Sequence, residues 1–266
     1  DMARKHNPFN FSNIKNFRLV APTSLTGNKI QLYRTANFSN IHEADLNKLE
    51  KEIGLKTYID LRSNTSYWEK NEMEKLVEKL APRNIQYVNV AVATDLQPLD
   101  SSKFPEVKAY GKTNARYDRY NDPTRHADFL AKYMVFVCKY NGHLIREVLH
   151  TMSIPSNYPL VFGCHAGKDR TGLIAALVLS LCGLNKQDIM DDYILSNEGW
   201  GEMDSNTKTS SVYPESLNAV FEWIESNHGS VTNYCNSIGI TNAEIQNIVK
   251  ICTHSDIING LPLAKL

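Results

Sequence analysis

No stretch of the 266 residues approaches the roughly 18 uninterrupted apolar residues of a membrane-spanning helix. Charge of one sign is also missing. The 29 basic side chains balance 29 acidic ones, which excludes attraction to nucleic acid, or to an acidic membrane surface, through bulk charge. The eight histidines never fall at His-x-x-x-His spacing and the five cysteines never at Cys-x-x-Cys spacing, so no metal ion and no cofactor is expected. An odd cysteine count without close pairs argues against a disulfide framework and for a reducing compartment. Internal repeats and low-complexity tracts are absent. The first residues, with polar Lys5, His6, Asn7 and Asn10, hold no apolar signal core. The expected location is the cytoplasm, with delivery into a host cell as an effector the alternative.

What the chain does have is enough apolar content, 42%, to bury one sizeable core. Residues 1–13 read as a loose polar arm, and 14–266 as a single domain. Strands are expected over Asn28–Arg34, Thr57–Leu61, Gln86–Val92 and Pro159–Gly163. Helical spacing marks Ile41–Ile53 (stopped by Gly54), Trp68–Leu80 (stopped before Pro82) and Asp128–Leu149. Later helices are expected from about Thr171, then over Lys186–Ser196, Glu215–Ser226, Val231–Ser237 and Thr241–Cys252. Early strands alternating with helices, then a helical C-terminal half, predict an α/β fold whose central, mostly parallel sheet is flanked by helices. One long irregular stretch, about 93–123, interleaves lysines and arginines with Tyr110, Tyr117 and Tyr120, and reads as an insertion or substrate-covering lid.

The informative segment is Gly163–Gly172, Gly-Cys-His-Ala-Gly-Lys-Asp-Arg-Thr-Gly, between the apolar run Leu160-Val161-Phe162 and a helix-forming stretch. A buried strand would deliver Cys164 to a loop that ends at a helix N-terminus. Such a loop suits a dianion: successive backbone N–H groups curl around it and the helix end adds partial positive charge. Arg170 forks two hydrogen bonds onto phosphate oxygens, and Gly167 and Gly172 allow close backbone approach. The same dipoles favour a Cys164 thiolate, the nucleophile of covalent phosphoryl transfer. Cys-x5-Arg alone arises by chance in roughly one such chain in five; the two glycines lower that to about one in two thousand.

The segment resembles the phosphate-binding loop of the cysteine-dependent phosphatases, and more narrowly of the atypical microbial tyrosine/lipid phosphatases with a loop of the type His-Cys-x-Ala-Gly-Lys-Asp-Arg-Thr-Gly. Asn16-Phe17-Arg18, Leu32-Tyr33-Arg34-Thr35, Ile59-Asp60-Leu61-Arg62-Ser63, Asp192 to Asn197 and Tyr234 to Glu244 extend the resemblance over about residues 14–252. It implies the cysteine-dependent phosphatase fold. Departures are Gly163 in place of the loop's leading histidine, and Leu-Val-Ala after Arg18 in place of Asp-Leu-Gly-Gly. Ser66 also stands where an acid follows the Asp60–Ser63 motif, with Glu69 the nearest substitute.

Candidate roles follow. Cys164 attacks phosphorus and forms a phosphocysteine that water clears; Arg170 binds the phosphate and stabilises the transition state. His165, Ala166, Gly167, Lys168, Arg170 and Thr171 form the phosphate-binding set, with Thr171 either donating to the departing sulfur or capping the helix. A carboxylic acid must protonate the leaving alcohol. Asp169 is the first choice and the one the resemblance implies, with Asp95 or Asp100 on the irregular stretch as alternatives. Lys168, a second cation, suits a headgroup with several phosphates, or else is a solvated loop lysine. Arg62 either pairs with Asp60 at a strand end or supports the site. Asp191-Asp192 reads as a helix-face pair or an ion-pair partner. The expected activity is hydrolysis of phosphotyrosine in proteins, extending to dual specificity, with phosphoinositide hydrolysis the alternative. A catalytically dead phosphate-binding module and a rhodanese-type sulfur transferase are the rival readings. The expected partner is thus a phosphorylated protein or a phosphoinositide, with neither nucleic acid nor stable membrane insertion.

Overall fold

The structure, a computed structural model, describes residues 8–20, 32–63, 67–92, 123–198 and 211–253. Its centre is a five-stranded sheet: β1 (Arg18–Leu19), β2 (Leu32–Thr35), β3 (Thr57–Asp60), β4 (Gln86–Asn89) and β5 (Leu160–Gly163). The spatial order is β1-β2-β5-β3-β4, antiparallel only between β1 and β2. The last strand in sequence is therefore the middle strand in space. Its final residue, Gly163, sits level with Thr35 of β2 on one side and Asp60 of β3 on the other. The chain leaves this strand at the carboxyl edge of the sheet, where open α/β sheets place their ligands.

Alternation along the strands divides the core in two. Leu32, Ile59, Leu160 and Phe162 face one cluster; Tyr33, Tyr58 and Val161 face the other. Both faces being covered, the parallel strands read as continuous apolar runs. Helices α1 (Glu43–Lys48) and α2 (Tyr67–Leu80) cover the second face, with Leu46, Leu76 and Leu80 buried there. A π-helical turn, Leu49–Ile53, extends α1 and ends at Gly54, whose φ of 67° is the left-handed stop expected of that glycine.

The first face carries α3 (Pro123–Tyr140), α4 (Gly142–Met152), α5 (Asp169–Leu181), α6 (Lys186–Ile194), α7 (Pro214–His228), α8 (Val231–Ser237) and α9 (Asn242–Thr253). Helix α5 is buried almost all round, from Thr171 to Leu179, as an apolar helix without a polar face must be.

Three differences from the sequence reading have physical causes. The single helix expected over Asp128–Leu149 is two, broken at Asn141. Gly142, where an added Cβ would meet Ile238 Cγ2 at 2.6 Å, lets the end of α8 press in at the junction. Helix α5 begins at Asp169 rather than Thr171, with Gly172 N–H donating to the Lys168 carbonyl (2.6 Å), so Thr171 stands inside the first turn and does not cap it. Of the arm expected over residues 1–13, the described part is not loose. Phe11 is buried beside Phe17 (ring centroids 4.8 Å apart), and the Ser12 N–H and hydroxyl both donate to Asp45 Oδ2 at 2.8 Å. The stretch 93–122, with Asp95 and Asp100, lies outside the described residues.

Candidate active site

Cys164 follows β5 directly and is 3% exposed. The four carbonyls after it are all tied to residues of β2 and of its flanks. His165 O accepts from the Asn37 N–H (3.1 Å), and Ala166 O and Gly167 O from Asn16 Nδ2 (3.4 and 2.8 Å). Gly167 O and Lys168 O also accept from Arg34 Nη2 (2.9 and 3.4 Å). In a trans peptide the N–H points opposite to the C=O. Anchoring these carbonyls outward therefore turns the N–H groups of Ala166, Gly167, Lys168 and Asp169 the other way. Helix α5 adds its first turn, which no side chain caps. The result is a run of N–H groups turned away from those anchors in the residues that follow the cysteine, an arrangement suited to an oxyanion.

Two glycines make this possible. Gly167 has φ 67° and its missing Cβ would collide with the Thr35 carbonyl. At Gly163 a Cβ would lie 2.5 Å from Thr35 O and 2.9 Å from Thr35 Cγ2. The glycine that replaces the histidine of similar loops thus stands where β2 presses closest against β5.

The anchors are themselves held by a buried charge cluster. Asp192 on α6 accepts from Arg18 Nε at 3.2 Å and from Arg34 Nη1 at 2.5 Å, all three side chains being at most 1% exposed. Arg18 also donates to Asn16 Oδ1 and to Ser196 Oγ (2.9 Å). The ion-pair reading of Asp192 is the one the structure bears out; Asp191 accepts from Gln187 Nε2 at 2.7 Å on the exposed face.

On the other flank Arg62 is fully buried. It bonds both oxygens of Asp60 (2.6 to 3.1 Å), Ser39 Oγ (3.1 Å) and Glu72 Oε2 (3.1 Å). It therefore holds the strand end, as the ion-pair reading expected. Between these two residues, Leu61 O accepts from Arg170 Nη1 at 3.3 Å, so the Asp60–Arg62 pair also sets where the Arg170 guanidinium rests.

Three of the loop's ionisable groups, Lys168, Asp169 and His165, are displaced from their ordinary values. Lys168 is 4% exposed, which overturns its reading as a solvated loop lysine. Burial pulls its ammonium down to about 8, against the opposing influence of Asp169 and Cys164. Burial pushes the Asp169 carboxyl up, while Lys168, Arg170, its own N–H and Arg34 pull the other way. Asp169 Oδ1 is sealed from solvent without a hydrogen-bond partner, and so is Thr171 Oγ1. His165, half-buried, is lowered by burial and by Arg62 and Arg170, and raised by Glu72.

Sequence reasoning chose the loop but missed its scaffold. Asn37 and Glu72 carried no motif signal. Arg34 and Asn16 belonged to recognised stretches without a stated role, although arginine in the middle of an apolar four-residue strand is itself a signal of buried pairing. A surface hollow of about 470 Å³ lies elsewhere, between α2 and β4, lined among others by Met73, Val77 and Tyr87. Among the described residues no group of three or more His, Cys, Asp or Glu could hold a metal ion, and no helix is long and apolar enough to cross a membrane.

The chain is similar to several known phosphatases. It is 23% identical to a tyrosine-protein phosphatase of Nostoc commune over 235 residues, covering 81% of this chain and 71% of the relative. It is 28% identical to the triple specificity protein phosphatase PtpB of Mycobacterium tuberculosis over 197 residues, 69% of this chain and 67% of the relative. Among solved structures, the core catalytic domain of a PP-IP phosphatase of S. cerevisiae superimposes with a TM-score of 0.44 at 15% identity, over 81% of this chain and 93% of that one. The model of the tyrosine phosphatase family matches residues 9–253, nearly everything described above, and the chain belongs to that family of phosphate-ester hydrolases.

Proposed function

We propose that this phosphatase hydrolyses phosphotyrosine in proteins through a phosphocysteine on Cys164. The observation that carries the reading is the set of carbonyls from His165 to Lys168 tied away from the cysteine by Asn37, Asn16 and Arg34. We read that tethering as turning the loop's N–H groups and the α5 terminus towards the equatorial oxygens of a phosphoryl group. In the first step the Cys164 thiolate forms an S–P bond while the P–O bond to the leaving group breaks. Asp169 gives its proton to the departing oxygen. In the second, water attacks phosphorus, Asp169 takes the water's proton, and the S–P bond breaks to release phosphate. Arg170 neutralises charge on the transferring group throughout. The upward push on Asp169 suits this role, because an acid must hold its proton near neutral pH to give it.

Phosphoinositide hydrolysis is the second reading. It is favoured by the buried position of Lys168, a second cation next to Arg170 whose ammonium lies close to neutrality. The deciding experiment measures phosphate release from phosphotyrosine, phosphoserine and phosphoinositide panels by wild type, Cys164→Ser and Asp169→Asn. Cys164→Ser is expected to abolish release on every active substrate, and Asp169→Asn to lower it about 10²-fold or more where the leaving alcohol needs a proton. Wild-type rates from both variants would remove these assignments.

A further inference from the structure

We propose that Tyr193 is a positioning residue for the reaction: its ring shields the Asp169 carboxyl from water and so keeps that group ready to give a proton. The inference rests on the reading of Asp169 as general acid. Asp169 and Gly172 are three residues apart at the start of α5, hence on one face of the helix. An added Cβ at Gly172 would lie 2.7 Å from both Cδ2 and Cε2 of Tyr193. The ring therefore rests directly on the glycine, with no room for a methyl group between.

Tyr193 is 1% exposed; its hydroxyl lies 3.5 Å from Met134 Sδ and also interacts with the Asp169 carboxyl and with Ser216. The residue before it, Asp192, is locked by Arg18 and Arg34, which fixes the height at which α6 presents the ring. In the same helical turn Asp169 Oδ1 is sealed from solvent with no hydrogen-bond partner. The charged and titratable groups facing Asp169 are Lys168 and Arg170 from its own loop, Arg34 from β2 and Tyr193 from α6. The three cations favour the ionised carboxylate; only exclusion of water opposes them. Tyr193 is the aromatic side chain placed to supply that exclusion, and Gly172 is the vacancy that admits it.

The test is the pH profile of kcat/KM on aryl phosphates for wild type, Asp169→Asn, Tyr193→Phe, Tyr193→Leu and Gly172→Ala, with circular dichroism to verify folding. Asp169→Asn is expected to remove the basic limb when it is read in a Lys168→Met background, which takes away the lysine's own titration at about pH 8. Tyr193→Phe keeps the ring and loses only the hydroxyl that interacts with Asp169, so it is expected to hold the limb at or above its wild-type position. Tyr193→Leu opens a water path and is expected to move the limb about one pH unit lower, a roughly tenfold loss on its alkaline side, with the acid limb unmoved. Gly172→Ala lifts the ring and is expected to shift the limb the same way, so a Tyr193→Leu variant that does not fold still leaves a decision. A folded variant of either kind with an unmoved limb overturns the shielding role while Asp169 keeps its own. A basic limb surviving in Asp169→Asn in that Lys168→Met background overturns both.

Discussion

Replacing Lys168 by methionine should make the protein more stable and worse at its work. The side chain is 4% exposed, and burial lowers its ammonium from 10.5 to about 8. That displacement corresponds to about 3 kcal/mol of destabilisation wherever the amine is charged in both folded and unfolded chains. The sign follows from proton counting. Between about pH 8 and 10.5 the unfolded chain holds the proton and the folded chain has released it, so wild-type stability rises with pH across that window. Methionine fills similar space without a charge. The variant should therefore exceed wild type by up to about 3 kcal/mol at pH 7, and by only about 1.4 kcal/mol at pH 9.5. Urea unfolding at the two pH values reads this directly. In parallel, inhibition by inorganic phosphate should weaken in the variant at pH 7 and converge on wild type at pH 9.5, where the wild-type amine is already neutral. A stability difference that does not change with pH would show that the Lys168 ammonium is not held at a cost, and the reasoning from burial would fail.

Other perturbations reach the scaffold. Asp192→Asn leaves Arg18 and Arg34 facing a neutral amide inside the protein and should destabilise it by about 3–5 kcal/mol in urea unfolding; a loss under about 1 kcal/mol would mean the arginines find other acceptors. Gly163→Ala puts a methyl 2.5 Å from the Thr35 carbonyl oxygen. It should cost about 1–3 kcal/mol in a thermal melt together with a fall in turnover, since the strand that shifts is the one delivering Cys164. At the far end of the molecule, burial raises Glu244, but His150 and the Thr241 N–H and hydroxyl outweigh it and hold the carboxyl at about 2. Its folded value being depressed, its contribution is present above about pH 4.5 and lost as pH falls towards 2. Glu244→Gln should thus cost about 1 kcal/mol at pH 7, with the gap to wild type closing through that acid window.

The sheet was largely legible because its strands are short apolar runs bounded by polar turns: Thr57–Asp60 and Leu160–Gly163 lie where composition puts them. Strand β1 was not, since two residues, Arg18 and Leu19, make no pattern of their own and exist as a strand only by pairing with β2. The break at Asn141-Gly142 carried a turn dipeptide, yet the apolar spacing ran straight through it from Val137 to Val148. Tertiary contact with Ile238 decides that break. The site divides in the same way. Cys164 to Thr171 are contiguous, so local spacing exposes them. The bond from Arg34 to Gly167 spans 133 positions and that from Asn16 spans 151, and no local rule relates residues so far apart. Glu72, which completes the partners of Arg62, lies three residues beyond Glu69, the nearest substitute for the acid that the resemblance expected at Ser66.

The burial of so much charge around the Cys164 loop has a physical logic. Taking Arg18, Arg34 and Asp192 out of water is expensive, and an apolar trio of equal volume would commonly be as stable or more so. An apolar trio, however, has no donors for carbonyl oxygens. Arg34 spends one nitrogen on Asp192 and another on Gly167 O and Lys168 O; Arg18 spends one on Asp192 and another on Asn16, whose amide then holds Ala166 O and Gly167 O. Each chain of bonds runs from the acid through an arginine to a loop carbonyl, and the peptide plane carries it to an N–H on the opposite side. The loop's shape is thereby fixed by the protein itself. On the proposed reaction, its donors would need no reorganisation as charge develops on phosphorus, which is where electrostatic stabilisation gains most.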